Sequence, residues 1–338
     1  MKLESSPGQV NPVFIVGMNG SGTSMLTESL GRHPELYAFP GETRMIPHFI
    51  DAAPRFGDLE IDANFYRFWK YIISSTPDFE VYNDHRPLPM PDNWREFSRD
   101  LASILDAVFR QFAQAQGKRR WCEKSPNNSE HILRIAQLFP SSKFVHIIRD
   151  GRDCAASTQR RQYRSPDLSI SRWRNIVRDA REQGARLGNR YIEVKYEDLT
   201  QDPDRWMHSI CEFLLLDFDR RVLESAMPQS DKVTDSDSAS VGRIEPNSQK
   251  FLQQFDKEQI VRLERIAGDL LNQLGYKTIY TTGSEDLGWF RSRTMRMVDF
   301  LKANHRLRDK LLGRRRISWR KVYRSTLASM REYSSKKY

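Results

Sequence analysis

Val13-Phe14-Ile15-Val16-Gly17-Met18-Asn19-Gly20-Ser21-Gly22-Thr23-Ser24 runs from a short β-branched and aromatic segment into a glycine-rich turn, and residues 25–32 continue with helical periodicity. Strand, loop and helix N-terminus in that order form a phosphate-binding turn. The glycines let the backbone aim its N–H groups at an anion, and the new helix adds unpaired amides and a positive dipole end. The pattern G-x-x-x-x-G-K-[ST] fits from Gly17 to Ser24 except at Thr23, which stands where a triphosphate site has its lysine. The expected ligand is therefore a different phosphate ester, held by Asn19, Gly20, Ser21, Gly22, Thr23 and Ser24.

Beyond this turn, strand-like runs alternate with helical ones. Strands are expected at 13–16, 36–39, 121–123, 143–148 and 191–195, and helices at 97–116, 128–139, 151–161, 168–187 and 203–214. Strands separated by helices imply parallel βαβ units. The expected fold is an α/β, P-loop-like three-layer sandwich with a central parallel sheet of about five strands. Ligands in such sheets sit outside the C-terminal strand ends, which places the Gly17 turn, Lys124, Arg149 and Tyr196 on one rim. Residues 74–94, polar and proline-rich, are expected as a surface loop near that rim. Residues 228–248 are expected as a flexible loop, and a further helix at 252–274 stops at Gly275.

The chain has 338 residues and a net charge of +10, unevenly placed. Residues 286–338 carry 16 Lys and Arg against 4 Asp and Glu, a net of +12, so the remainder nets −2. A nearly neutral body is not the footprint of a nucleic-acid binder. The expected division is a domain over 1–282 and a basic, amphipathic helical tail over 283–338, read first as a solvated appendage packed on the domain, with peripheral membrane contact or attraction of an acidic partner as the alternatives. No apolar run approaches the ~18 residues of a membrane span, and residues 1–10 lack the apolar core of a signal peptide. The expected location is cytoplasmic. Cys122, Cys154 and Cys211 lie far apart with no metal-ligand spacing and are expected as buried thiols.

A second anion signal is Lys143-Phe-Val-His-Ile-Ile-Arg149-Asp-Gly-Arg-Asp153, followed by Ser157. Arg149 closes an apolar strand, Asp150 is placed to cap the next helix and Asp153 sits in its first turn. An arginine and a hydroxyl fixed relative to one another suit a phosphate monoester. Two anion sites on one sheet edge suggest a ligand with two separate phosphates.

At this point the chain resembles the PAPS-dependent sulfotransferases, whose donor is 3′-phosphoadenosine 5′-phosphosulfate. Their turn G-x-x-[RK]-S-G-T-[ST] matches Gly17–Ser24, and their R-D-x-R-D-x-x-x-S matches Arg149 through Ser157. Tyr196-Glu-Asp-Leu resembles their Y-E-D-L, and Val241-Gly242-Arg243 the closing loop of bacterial members. Pro40-Gly41-Glu42-Thr43-Arg44-Met45-Ile46-Pro47 is similar to the G-E-E-T-R-x-I-P of the tyrosylprotein branch. The resemblance implies 5′-phosphate binding by the turn and 3′-phosphate binding by Arg149 and Ser157, with Tyr196 and Arg243 nearby. It further implies Glu42 as base, Lys124 and Arg44 as active-site cations, no metal, and PAP as product. Pro126 stands where cytosolic members have a histidine base. The basic residue before Ser-Gly-Thr is Gly20 here. The resemblance implies an acceptor hydroxyl, of a tyrosyl peptide, a carbohydrate or a lipid. The competing expectations are a P-loop ATP-dependent kinase and a catalytically weak PAP- or PAPS-binding protein.

Overall fold

A computed structural model describes residues 11–162, 164–227, 240–244, 246–288, 293–296 and 299, the side chains of 162, 225–227 and 240–243 excepted. Five strands form a parallel sheet: β1 (Val13–Val16), β2 (Leu36–Ala38), β3 (Arg120–Lys124), β4 (Lys143–Ile148) and β5 (Tyr191–Lys195), in the order β2-β3-β1-β4-β5. The chain leaves β1 toward one side and later crosses to the other. This makes the C-terminal end of β1 a topological switch point, where α/β sheets bind ligands.

The sheet is covered on both faces. The helices in chain order are α1 (Thr23–Gly31), α2 (Ile46–Ala52), α3 (Asp62–Ser75), α4 (Pro77–Val81), α5 (Leu101–Ala115) and α6 (Ile132–Leu138). They continue with α7 (Gly151–Gln162), α8 (Pro166–Ala185), α9 (Tyr196–Gln201), α10 (Pro203–Leu214), α11 (Phe251–Gln254) and α12 (Lys257–Gln273). All four β1 side chains are fully buried, the mark of a central parallel strand. Phe14 and Val16 face an aromatic layer containing Phe109, Trp121, Phe139 and Phe144; Val13 and Ile15 face Leu26, Leu30, Val145, Ile147 and Val194. Each fully buried side chain of this kind contributes about 1.5–3 kcal/mol. A third cluster joins α7, α8 and α12 around Trp173. The three cysteines are free and buried.

The architecture matches the α/β expectation, and several bounds move. The helix expected at 97–116 begins at Leu101, because Asp100 caps it by accepting the Ser103 N–H at 2.9 Å. The segment expected as one helix over 128–139 breaks at His131 (φ −134°) into a 3₁₀ turn, Pro126–Glu130, and α6. The helix expected over 252–274 breaks at Phe255. Asp256 and Gln259 there form a capping box that starts α12. The stretch 74–94 is not wholly surface: it holds α4 and buries Phe79 and Leu88.

Part of the stretch expected as a flexible loop over 228–248 is a strand. β7 (Ser240–Arg243) pairs antiparallel with β6 (Glu224–Met227), aligning Glu224 with Arg243. Residues 228–239 and 245 lie outside the described residues. So does most of the basic tail, apart from 283–288, 293–296 and 299. Gly283 and Glu285 are bonded to α12: Asp269 N–H donates to Gly283 O at 3.1 Å and Glu285 N–H to Arg265 O at 2.6 Å.

Candidate active site

The sheet's C-terminal edge gathers the chemistry. At the end of β1 the turn closes with Ser21 N–H donating to Met18 O at 3.0 Å, and Gly17 N–H donates to Ser129 Oγ at 2.8 Å. Gly20 (φ 88°) and Gly22 (φ 98°) occupy the left-handed region, which bulky L-residues avoid. No side chain among the described residues caps α1, so its N-terminus presents backbone amides at the rim. Thr23 and Ser24 open that helix and the half-buried Asn19 lies in the turn. Ser21 Oγ is buried and has no hydrogen-bond partner among the described residues.

Arg149 follows β4 and reaches back to this turn. Its Nη1 donates to Gly20 O at 3.2 Å and its Nη2 to Asn247 O, and Asp153 Oδ2 lies 3.5 Å from Nη2. The guanidinium carbon stands 4.3 Å from the Tyr196 ring centroid. Arg149 Nε is buried without a partner among the described residues. Asp150 caps α7, taking the Arg152 N–H at 2.9 Å. Asp153 does more than favour the helix dipole: it accepts the N–H groups of Gln249 at 2.7 Å and Phe251 at 2.9 Å, tying that segment to α7.

Ser157 and Tyr196 press on the turn from two sides. A Cβ added at Gly20 would lie 3.1 Å from Ser157 Cβ, and one at Gly22 would lie 2.4 Å from Tyr196 Cδ2. The turn, Arg149, Ser157 and Tyr196 therefore form one packed cluster. Arg243 has its backbone in β7, and its side chain lies outside the described residues.

A second cluster adjoins the first. Lys124, at the end of β3, is 4% exposed. Its Nζ lies 2.6 Å from Glu42 Oε1 and 3.4 Å from Ser24 Oγ, so it bridges the carboxylate and the first turn of α1. Arg44 grips the other Glu42 oxygen, with Nη2 at 2.5 Å and Nε at 3.0 Å. Burial is the largest influence on the Glu42 carboxyl and pushes its pKa up. The Lys124 and Arg44 charges and hydrogen bonds together outweigh it and hold the group below its ordinary value. Asp78 Oδ2 accepts the Glu42 N–H at 3.2 Å, and a Cβ added at Gly41 would lie 2.8 Å from both Asp78 Oδ2 and Tyr82 Cε2. The 74–94 stretch thus borders the Gly41–Glu42 backbone.

The sequence did not single out Glu123, Ser125, Asn128 and Ser129, which surround these two clusters from below. A signal was present: a carboxylate inside an otherwise buried strand, followed by the polar run Ser-Pro-Asn-Asn-Ser at its rim end. His146, within β4, shares a 2.6 Å hydrogen bond with the Tyr191 hydroxyl and takes no part in the site.

The chain is similar to several known proteins. It is 24% identical over 288 residues to protein-tyrosine sulfotransferase 2 of Gallus gallus, covering 78% of this chain and 66% of that one. It is 25% identical over 225 residues to an uncharacterized protein of Aquifex aeolicus, covering 63% of this chain and 26% of that one. Among solved structures, the sulfotransferase domain from the curacin biosynthetic pathway is 18% identical with a TM-score of 0.49, covering 80% of this chain and all of that one. The model of the sulfotransferase family matches residues 12–220. That match runs through more than half of the chain and takes in the glycine turn, Glu42, Lys124, Arg149 and Tyr196. The chain belongs to the sulfotransferase family.

Proposed function

We propose that the chain moves a sulfonate group from PAPS to an acceptor hydroxyl, with Glu42 as the base. The observation that carries this is the Lys124–Glu42–Arg44 triad standing beside the phosphate turn, next to two unsatisfied buried polar atoms, one in that turn and one on Arg149. Ser21 Oγ and Arg149 Nε are both buried without partners among the described residues, and buried polar groups are normally satisfied. The residues present therefore fit a doubly phosphorylated nucleotide. The amides and hydroxyls of residues 19–24 would hold its 5′ end, and Arg149 with Ser157 its 3′-phosphate. Tyr196 and Arg243 complete that side. When bound, the donor supplies a sulfonate whose transfer breaks its bond to the 5′-phosphate oxygen and forms one to the acceptor oxygen.

The chain's own residues supply position and charge. Glu42 takes the acceptor proton on a carboxylate oxygen, a role worth about 10²–10⁴-fold in rate. Lys124 places an ammonium beside both Glu42 and Ser24, where negative charge builds, and Arg44 adds a second cation. Asp78 and Tyr82, which adjoin the Gly41–Glu42 backbone, are the residues of the 74–94 stretch proposed to border the acceptor. Its class is a hydroxyl of a tyrosyl peptide, as the names of the relatives suggest, or of a carbohydrate or lipid.

One observation favours a second reading. Gly20 offers no side chain where the family pattern has a basic residue (Arg or Lys), which suits a protein that binds PAP and transfers slowly. Calorimetry with PAP and with ATP–Mg²⁺, together with transfer of labelled sulfonate from PAPS to a mixed hydroxyl library, separates transferase, slow binder and kinase. Glu42→Gln should keep PAP affinity and lose turnover; full turnover in that variant would remove Glu42 as base.

No helix among the described residues is long and apolar enough to cross a membrane. The proposed division keeps a domain over 1–282 and a basic tail over 283–338. The start of the tail is tied to the domain: Gly283 and Glu285 are bonded to α12, and Asp299 accepts the Ser165 N–H at 3.0 Å.

A further inference from the structure

Glu123 is the penultimate residue of β3 and fully buried, next to Lys124. Burying a carboxylate costs several kcal/mol unless its oxygens are satisfied. Here they are heavily satisfied. Oε1 accepts the Thr43 N–H at 3.3 Å, the Thr43 hydroxyl at 2.9 Å and the Ser125 hydroxyl. Oε2 accepts Asn128 Nδ2 at 2.5 Å.

These bonds converge on the turn that carries the base. Ser125 Oγ, while donating to Glu123, accepts the Arg44 N–H at 2.9 Å, and Asn127 Nδ2 donates to Arg44 O at 3.1 Å. The two residues after Glu42 are thus fastened to segment 123–127. Arg44 needs that fastening, because its φ of 55° costs a bulky L-residue about 1–2 kcal/mol. The 3₁₀ turn that supplies Asn128 also supplies Ser129, which holds Gly17 at the start of the phosphate turn.

We propose that Glu123 is a positioning residue: its buried carboxylate fixes the Glu42–Arg44 turn against the end of β3, and so sets Glu42 beside Lys124 and registers both to the phosphate turn. This rests on Glu42 being the base. Only a carboxylate offers two acceptor oxygens to four donors. Glutamine keeps one of them and turns an amide toward Asn128, whose Oδ1 has no partner among the described residues and can accept after the Asn128 amide rotates.

The test uses the full chain as wild type, Glu123→Gln, Glu123→Ala and Thr43→Val. PAP affinity is read by calorimetry. Turnover of labelled PAPS is read with a tyrosyl peptide, 4-nitrophenol and a hexose offered as acceptors, across pH. The groups facing Glu42 are Lys124 and Arg44, with Asp78 on its backbone and Glu28 within charge range of Lys124. Thr43→Val should keep PAP affinity within about threefold and lose kcat about tenfold; Glu123→Ala should lose about a hundredfold, the scale of a 1 Å misplacement. In both, the acidic limb of the kcat profile should move to higher pH as Glu42 leaves its two cations. Glu123→Gln should return most of the kcat and the wild-type limb. Unchanged kcat and limb in Thr43→Val, or PAP affinity falling in step with kcat, would overturn the proposal. If Glu123→Ala does not fold, the other two variants decide. If the wild type transfers nothing, the sulfonate-transfer reading fails instead. Glu42 titration by carboxyl NMR then decides the positioning role: a curve unmoved by Thr43→Val refutes it.

Discussion

Gly20 stands where related turns carry a basic residue, and substituting it measures why. At φ 88° an L-residue pays about 1–2 kcal/mol relative to glycine. An added Cβ would lie 3.1 Å from Ser157 Cβ, 3.2 Å from Ser157 Oγ and 3.3 Å from Cys154 O, all on α7, where the helix backbone yields little. Tight contact of this kind adds about 1 kcal/mol. Gly20→Ala should therefore cost about 2 kcal/mol. The strain is either borne by the ligand-free protein, and read as lost unfolding free energy, or relieved by moving the turn, and read as lost PAP affinity. At about 1.4 kcal/mol per tenfold, the second route alone gives roughly thirtyfold weaker binding. Denaturant unfolding and calorimetry with PAP on the same samples give the two parts. Gly20→Lys carries the same strain and adds a charge-assisted contact worth about 1.5–3 kcal/mol, so the lysine-minus-alanine difference isolates the charge. If Gly20→Ala matched the wild type in both measurements to within about 0.5 kcal/mol, the claim that helix α7 confines this position to glycine would be wrong.

Lys124→Met removes the leading influence that lowers the Glu42 pKa while burial, which raises it, remains. Because the ionised carboxylate is the active form, the acidic limb of the rate profile should rise by about 1–3 pH units, and a limb that stays put contradicts the pairing. Arg149→Lys keeps the charge but loses the fork that reaches both Gly20 O and Asn247 O. PAP affinity should fall about 30–100-fold by calorimetry, and unchanged affinity would remove Arg149 from the nucleotide site. Burial, with Arg181 adding to it, holds the His146 pKa down to about 3 from an ordinary 6.5. Below 6.5 the unfolded chain takes up a proton that the folded chain refuses, so stability is full above that value and falls as pH drops toward 3. Denaturant unfolding at pH 7.5 and 5.0 should show about 2 kcal/mol less acid loss in His146→Phe than in wild type; equal losses would mean that His146 protonates in the fold.

The elements most legible in the sequence are those whose signal is local. The apolar runs at β4 and β5 fall where expected, and α10 starts behind Asp202-Pro203, a cap and a first-turn proline. The phosphate turn was visible because glycine spacing encodes its backbone. α3 went unread although Phe65, Phe68, Trp69 and Ile72 repeat at helical spacing and are all buried. The capping box at Asp256 was likewise in view. The β6–β7 pairing was not, because register between strands separated by a long polar stretch is a tertiary matter. Of the site, the residues proposed to meet the ligand carry recognisable motifs. Glu123 does not, since its meaning depends on Thr43 arriving from a distant loop.

The glycine turn, Lys124, Arg149 and Tyr196 lie at or just after the C-terminal ends of the parallel strands, and the opposite rim is formed by the turns that lead into those strands. Gly117 and Gly188 sit there, in exposed turns leading into β3 and β5, each with nothing within 4 Å of an added Cβ. Fluorophores, affinity handles or immobilising tethers placed at those two turns would hold the molecule with its working mouth pointing into solution.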